Sequence, residues 1–412
     1  MASTAVEKII SAALGRRASA GEFVEVPVDF AYFHDGTGPL VIDALGRMGV
    51  DAVKDPNKVG IVFDHSAPPY SDQGATLQGR VRKFARRQGI SKFHDVGDGI
   101  CHQVIPEMGY VTPGTIVIGA DSHSCTLGCF GLFSSGVGAT DLAYILATGQ
   151  TWLKVPETIE VNCSGFLGRR VSSKDLILEI TRMIGTDGAT YKALEFSGSA
   201  VKAMSQSSRM TMSNMAVEMG AKTGFVEADE KTCGFLGHCG EKFQTDPGST
   251  EKNLIIDASS LVPQVACPGS VANVKPAAEV EGRPIDQAFL GSCTNGRYDD
   301  LQAAAEILRG KKVHRDTRFI VVPASRAIQA KAQKDGIMDI LGKAGAVVGV
   351  TGCGPCLGVH MGVLGDGDVG ISTSNRNFIG RMGSVKSEVY LASAQTVAAS
   401  ALMGKITDPR RL

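Results

Sequence analysis

Five short apolar runs in this chain each stop abruptly in residues that can carry charge, bind metal or donate hydrogen bonds. Val59-Gly60-Ile61-Val62-Phe63 runs into Asp64-His65, Thr115 to Ala120 into Asp121-Ser122-His123, and Ala288-Phe289-Leu290 into Gly291-Ser292-Cys293. Ala346 to Val350 runs into Gly352-Cys353, and Val369-Gly370-Ile371 into Ser372 to Arg376. Such nearly continuous apolar or β-branched segments predict strands of parallel sheets buried on both faces. Helical spacing recurs between them: Tyr298 to Leu308 ends at Gly310, the strand Phe319 to Val322 follows, and Ser325 caps a helix toward Gln333. That alternation is βαβ. Ligands of open α/β sheets bind beyond the carboxyl ends of the strands, so five reactive run ends predict one cleft.

The middle of the chain reads differently, with helical patterns at Lys174 to Ile184, Val201 to Gln206 and Thr211 to Met219 among short strands. The expected organisation is three α/β domains with mainly parallel sheets around a central cleft. The first, 1-155, carries the Asp-His and Asp-Ser-His motifs; a smaller one spans 156-280; the third, 281-412, carries the glycine-flanked cysteines. Pro156 and the Pro268 to Pro284 stretch mark the boundaries. The opening stretch predicts an amphipathic helix, with Val6, Ile9, Ile10, Ala13 and Leu14 on one face, and lacks the apolar core of a secretory leader. No run of eighteen apolar residues occurs, so no membrane-spanning helix is expected.

Composition narrows the ligand. Lysines plus arginines equal aspartates plus glutamates at 42 each over 412 residues, and no block of like charge stands out, which argues against nucleic acid or an anionic membrane as partner. A small molecule is expected instead. The 50 glycines cluster beside turns that follow apolar runs, as tight loops around a site require. Ten cysteines without a leader point to a reducing, cytoplasmic setting in which thiols bind metal or stay free, with no disulfide framework.

Cys293, Cys353 and Cys356 have the ligand type for an iron-sulfur cluster but are one short of four. On spacing alone, a cluster, a zinc site and a redox dithiol are all open, because Cys353-Gly354-Pro355-Cys356 is also a thioredoxin-type motif. The thioredoxin context is missing, since the single tryptophan, Trp152, is remote and glycines rather than a helical pattern surround Cys353. A cluster one ligand short leaves an iron open to act as a Lewis acid. Gly365-Asp366-Gly367-Asp368-Val369-Gly370 matches a dinucleotide fingerprint in letters only, because it precedes a strand instead of following one.

Around Cys293 the run Gly291-Ser292-Cys293-Thr294-Asn295-Gly296-Arg297 resembles the aconitase superfamily of iron-sulfur hydro-lyases, and more closely its isopropylmalate dehydratase and archaeal homoaconitase large subunits. The resemblance extends over nearly the whole chain. It runs through His34 to Thr37, Asp64-His65, Gly99 to Gln103, Asp121-Ser122-His123, Glu195, Thr211 to Met215, Gly352 to Cys356, Asn375 to Arg381 and Gly404 to Arg410.

The resemblance implies the fold of three such domains around a central [4Fe-4S] cleft, without the mobile swivel domain. It implies one cluster per chain, held by Cys293, Cys353 and Cys356. It implies dehydration and rehydration of a small 2-hydroxy di- or tricarboxylic acid, with isopropylmalate isomerisation foremost and homoaconitate, maleate-like or dimethylmalate-type hydration as alternatives. Catalytic roles fall to Asp64, His65, His102, Asp121, His123 and Glu195, with His102 and Glu195 as one pair; an adjacent carboxylate orients an imidazole and raises its pKa. Substrate contacts fall to His34, Ser122, Asn375, Arg376 and Arg381, the arginines by bidentate grip of carboxylates. The swivel domain and its catalytic base are expected on a separate small subunit. A redox dithiol or an RNA-binding relative is the alternative from another class.

Overall fold

The computed structural model describes residues 2–412. It contains a five-stranded, a four-stranded and a seven-stranded sheet, with a two-stranded antiparallel ribbon of Phe23–Pro27 against Gln150–Lys154. The chain thus has the α/β, mainly parallel architecture expected of it.

In the five-stranded sheet the order is Lys92–His94, Val59–Val62, Phe30–His34, Ile116–Gly119, Phe133–Gly136, every pair parallel. The chain builds outward from Phe30–His34 on one side, then returns to build the other side from Ile116–Gly119. Between those two strands the order reverses, and the connections leave in opposite directions, opening a crevice. His34, Asp64-His65 and Asp121 stand at that end. Phe33, Ile61, Phe63 and Ile118 beneath them are buried and hold the strand ends rigidly.

The seven-stranded sheet repeats the device. Its order is Val274–Pro276, Gln264–Ala266, Glu388–Ala392, Val369–Ser372, Gln287–Leu290, Arg318–Val321, Val347–Val348. Its reversal lies between Gln287–Leu290, which leads to Cys293, and Val369–Ser372, which leads to Asn375. Two features differ from the sequence reading. Val347–Val348 is an edge strand, 64% and 39% exposed, and not a strand covered on both faces. Gln264–Ala266 and Val274–Pro276, which lie in the segment read as the middle domain, join this sheet antiparallel.

The four-stranded parallel sheet is ordered Thr223–Phe225, Ala193–Ser197, Thr158–Ser164, Lys252–Asp257. The helices in this part of the chain begin where capping residues stand. Ser172 and Asp175 form a reciprocal cap on Ser173–Ile184, and Ser205 caps Gln206–Asn214. The single helix expected from Thr211 to Met219 is divided instead. Gln206–Asn214 gives way to the tighter turn Met215–Met219, stopped by Gly220 in the left-handed conformation.

Thr4 and Glu7 cap the opening helix, Ala5–Leu14, reciprocally. Among the described residues no helix is long and apolar enough to cross a membrane. One cysteine pair departs from the expectation of free thiols: Cys233 and Cys239, six residues apart, are joined as a disulfide.

Candidate active site

The end of Gln287–Leu290 turns so sharply that Ser292 adopts φ +75°, a left-handed conformation that side-chain-bearing residues rarely hold. Surrounding bonds fix it. Thr373 Oγ1 accepts from Gly291 N at 2.9 Å and lies 2.9 Å from Gly291 O and 3.2 Å from Asn295 O. The buried Arg297 donates to the carbonyls of Cys293 (2.5 Å) and Thr294 (2.6 Å). Cys293 Sγ accepts from Asn214 Nδ2 at 3.2 Å and Asn375 Nδ2 at 3.4 Å. On the other side, Gly352 passes so close to Asp64 that a Cβ would sit 2.9 Å from its carbonyl. That closeness lets Cys353 N donate to Asp64 O at 2.8 Å, bringing the second cysteine to the first sheet.

The three cysteines are buried, are not disulfide-bonded, and line one cavity with His65, His102, Asp121, His123, Ser292, Leu357, Asn375 and Arg381. Four histidines surround Asp121, whose side chain is 8% exposed. His102 Nε2 is 3.2 Å and His123 Nδ1 3.7 Å from its Oδ1; His65 Nε2 is 3.4 Å and His34 Nε2 3.5 Å from its Oδ2. Its Oδ1 also accepts from His123 N at 2.7 Å. Burial works to raise the Asp121 carboxyl's pKa, but the charge and hydrogen bonds of His102 and His65 outweigh it and hold it well below the usual range.

The histidines respond in kind. Burial pushes the His102 pKa down, yet Asp121, followed by Cys293, carries it up to about 10. His65 is likewise lowered by burial but raised well above its ordinary value by Cys353, Asp64 and Asp121. Asp64, completely buried, stands 2.6 Å from His65 Nδ1 and accepts from Cys101 N through its other oxygen. His34 stacks on His65 with ring centroids 3.7 Å apart, and burial together with the His65 charge lowers its pKa. His65 has 18% of its side chain exposed against 2% for His102. Both rings line the cavity, and His65 is the more open of the two to solvent.

The pairing of the remaining carboxylate differs from expectation. Glu195 stands in the strand Ala193–Ser197, accepts from Thr245 Oγ1 at 2.5 Å and is not among the residues lining the cavity. Burial raises its pKa to about 7. The carboxylate beside the histidines is Glu218, whose Oε1 meets both His123 Nε2 and Arg376 Nε at 2.8 Å. Glu218 lies in the Thr211 to Met219 stretch read as helical, but past the Thr211 to Met215 motif, so nothing in the sequence marked it as part of the site. Asn214 was visible only as a member of a motif. His102 pairs with Asp121.

Of the residues read as binding substrate, Asn375 and Arg381 line the cavity, Ser122 is exposed beside it with Oγ 3.3 Å from His123 Nδ1, Arg376 is tethered to Glu218, and His34 backs His65. Arg381 Nη2 donates to Cys356 Sγ at 3.6 Å, and its buried Nε has no partner among the described residues.

The donor set fits a thiolate-held cluster. Asn214, Asn375 and Arg381 point N–H groups at Cys293 and Cys356, which favours the thiolate form. Burial raises the Cys293 pKa, but a bond from His102 and the charges of His123 and His102 bring it down to about 6. Among the described residues, ligand atoms grouped within 4.8 Å are those of His34, Asp35, Asp64 and His65, without the cysteines. The sulfurs thus stand wider apart than a single zinc with bonds of about 2.3 Å would hold them. That His/Asp group is itself a hydrogen-bond frame, since Asp35 accepts from the backbone N–H groups of Asp64, His65 and Ser66.

The model of the aconitase family (aconitate hydratase) matches residues 7–275 and 257–404. The chain is 51% identical to the 3-isopropylmalate dehydratase large subunit 1 of Methanopyrus kandleri, covering 100% of this chain and 99% of that protein. It is 52% identical to the probable methanogen homoaconitase large subunit of Methanosarcina mazei over 93% of this chain and 99% of that one. In fold it is similar to Thermococcus kodakaraensis aconitase X, with a TM-score of 0.53, 14% identity and 93% of each chain covered.

Proposed function

We propose that this chain, which belongs to the aconitase family, is the cluster-binding large subunit of a hydro-lyase that interconverts 3-isopropylmalate and 2-isopropylmalate through the unsaturated acid. The observation that carries the reading is the cleft itself, where three buried free thiols meet four histidines gathered on Asp121. Cys293, Cys353 and Cys356 would hold a [4Fe-4S] cluster, which would supply Lewis-acid chemistry at the substrate hydroxyl.

The chain's own residues supply the rest. His65, cationic and oriented by Asp64 through its Nδ1, protonates the departing oxygen from its exposed side. Asp121 keeps His102 protonated and fixes the ring. Arg381 Nε, buried and without a partner among the described residues, takes a substrate carboxylate, with Asn375 beside it. Glu218 sets the orientation of both His123 and Arg376.

The group that removes the carbon-bound proton comes from a separate small subunit. The relatives' names as large subunits support this partner, as does the apolar rim of Phe378, Ile379 and Val385, 50%, 70% and 70% exposed beside Arg381. Homoaconitate hydration is the second reading, favoured by the 52% identity to a probable homoaconitase subunit.

The test is to load the chain anaerobically with iron and sulfide, add the candidate small subunit, and follow formation of the unsaturated acid from isopropylmalate, homocitrate, citrate, citramalate and dimethylmalate. Turnover of isopropylmalate only with both subunits is expected. Preference for homocitrate would replace the substrate assignment, and full activity of the chain alone would remove the partner.

A further inference from the structure

Lys174, in the first turn of the helix Ser173–Ile184, is 0% exposed. Taking an ammonium out of water is costly, and an apolar side chain could fill the same space without that cost. Its Nζ donates to the carbonyl oxygens of Thr373 at 3.0 Å and Ser374 at 2.6 Å, in the loop that leaves Val369–Ser372. The helix packs on Gln264–Ala266 and Val274–Pro276, the antiparallel strands of the same seven-stranded sheet from which that loop leaves.

The two clasped residues govern the cysteines. Thr373 bridges Gly291 and Asn295 on either side of Cys293. The next residue, Asn375, donates to Cys293 Sγ at 3.4 Å, and its Oδ1 lies 3.8 Å from Cys356 Sγ. Arg376 then reaches Glu218. Burial lowers the Lys174 pKa to about 7, while the negative charge of Asp300, Cys293, Cys356 and Asp175 opposes the fall. The more charge the thiols carry, the more firmly the ammonium keeps its proton.

We propose that Lys174 is the positioning residue of the thiolate centre: from its helix it holds Thr373 and Ser374 so that Asn375 keeps Cys293 in place, and it offsets the thiolates' buried charge. The proposal rests on the reading of Cys293, Cys353 and Cys356 as metal ligands. Retention of iron, and not only turnover, then depends on Lys174.

The full-length chain and its Lys174→Met, Lys174→Gln and Asp175→Asn variants are reconstituted anaerobically with ferrous iron and sulfide. Irons per chain and the rate of iron loss to a chelator are measured, with circular dichroism and melting temperature as controls. Lys174→Met is expected to lose iron about 10–100-fold faster than the parent, the usual range when a residue supporting a metal ligand is removed. Lys174→Gln, which keeps a donor but not the charge, is expected to fall between them, and it carries the test if Lys174→Met fails to fold. Asp175→Asn disturbs the same helix through Gln264 N (2.9 Å) and not through the cysteine loop; it is expected to melt earlier yet hold iron as the parent does. Iron loss at the parent's rate in both Lys174 variants, or equal loss in Asp175→Asn, would overturn the role of Lys174 alone. A parent chain that takes up no iron would overturn the thiolate reading, and the proposal with it.

Discussion

Glu218 Oε1 lies 2.8 Å from His123 Nε2. The same oxygen accepts from Arg376 Nε at 2.8 Å, so one carboxylate fixes an imidazole and a guanidinium arriving from two different sheets. Burial works to raise its pKa, but the bonds and charges of His123 and Arg376 hold it below the ordinary value.

Replacing that carboxylate by an amide keeps the shape and removes the charge. Glu218→Gln is expected to lower kcat/KM by on the order of 100-fold, the lower range for loss of a group that orients acid-base catalysis, with the fold retained by circular dichroism. Activity near the parent's would show that His123 and Arg376 hold their places without it.

Glu195→Gln, by contrast, should leave kcat/KM near the parent's, because its carboxylate meets Thr245 away from the cleft. It should change the dependence of stability on pH. The folded-state pKa of Glu195 is raised from 4.5 to about 7, so above pH 4.5 the native state holds a proton that the unfolded chain has released. The parent therefore loses stability as pH rises from 4.5 through about 7, and the amide variant lacks this decline. Melting temperatures of both proteins across that range would check it; parallel curves would refute the buried carboxyl.

Asp64→Asn replaces the carboxylate 2.6 Å from His65 Nδ1 by a neutral amide, a weaker acceptor that can also turn its N–H group to the ring. The ring loses its orientation and the charge that keeps it protonated, so kcat is expected to fall by about 10²–10⁴-fold while KM changes little. A rise in KM at constant kcat would move Asp64 from proton transfer to binding.

Arg381→Lys keeps the charge but loses the planar fork. Its expected effect is a rise in KM of about 10-fold or more, equivalent to ~1.4 kcal/mol or more, for substrates bearing the carboxylate that Nε receives. Steady-state kinetics with and without that carboxylate separate this from a change in the metal centre, since Arg381 also donates to Cys356.

Cys293→Ser, Cys353→Ser and Cys356→Ser should each prevent stable loading with iron, whereas Cys125→Ala, at a buried thiol 3.5 Å from Asn214 O, should not. Iron content after reconstitution decides it, and full loading of a Cys293→Ser chain would exclude Cys293 as a ligand.

The apolar runs and their polar ends determined much of the architecture. Period and composition alone located the strands ending in Asp64, Asp121, Cys293 and Asn375, because a strand covered on both faces must be apolar throughout and the polar residues just past its end emerge into the crevice. The run near Val347 misled, since a stretch equally apolar in letters can lie at a sheet edge, and only strand order reveals that.

Pairing was beyond the sequence. His102 faces Asp121, His123 faces Glu218, and Glu195 faces Thr245, which depends on how three sheets meet and not on spacing along any one of them. The bonds of Lys174 and Asn214 stayed hidden for the same reason: 199 residues separate Lys174 from Thr373 and 79 separate Asn214 from Cys293. Local sequence fixes which side chains leave a strand end, because backbone geometry alternates over a few residues. Which partner a buried charge meets is decided by tertiary packing, where unpaired polar groups cost too much to leave alone.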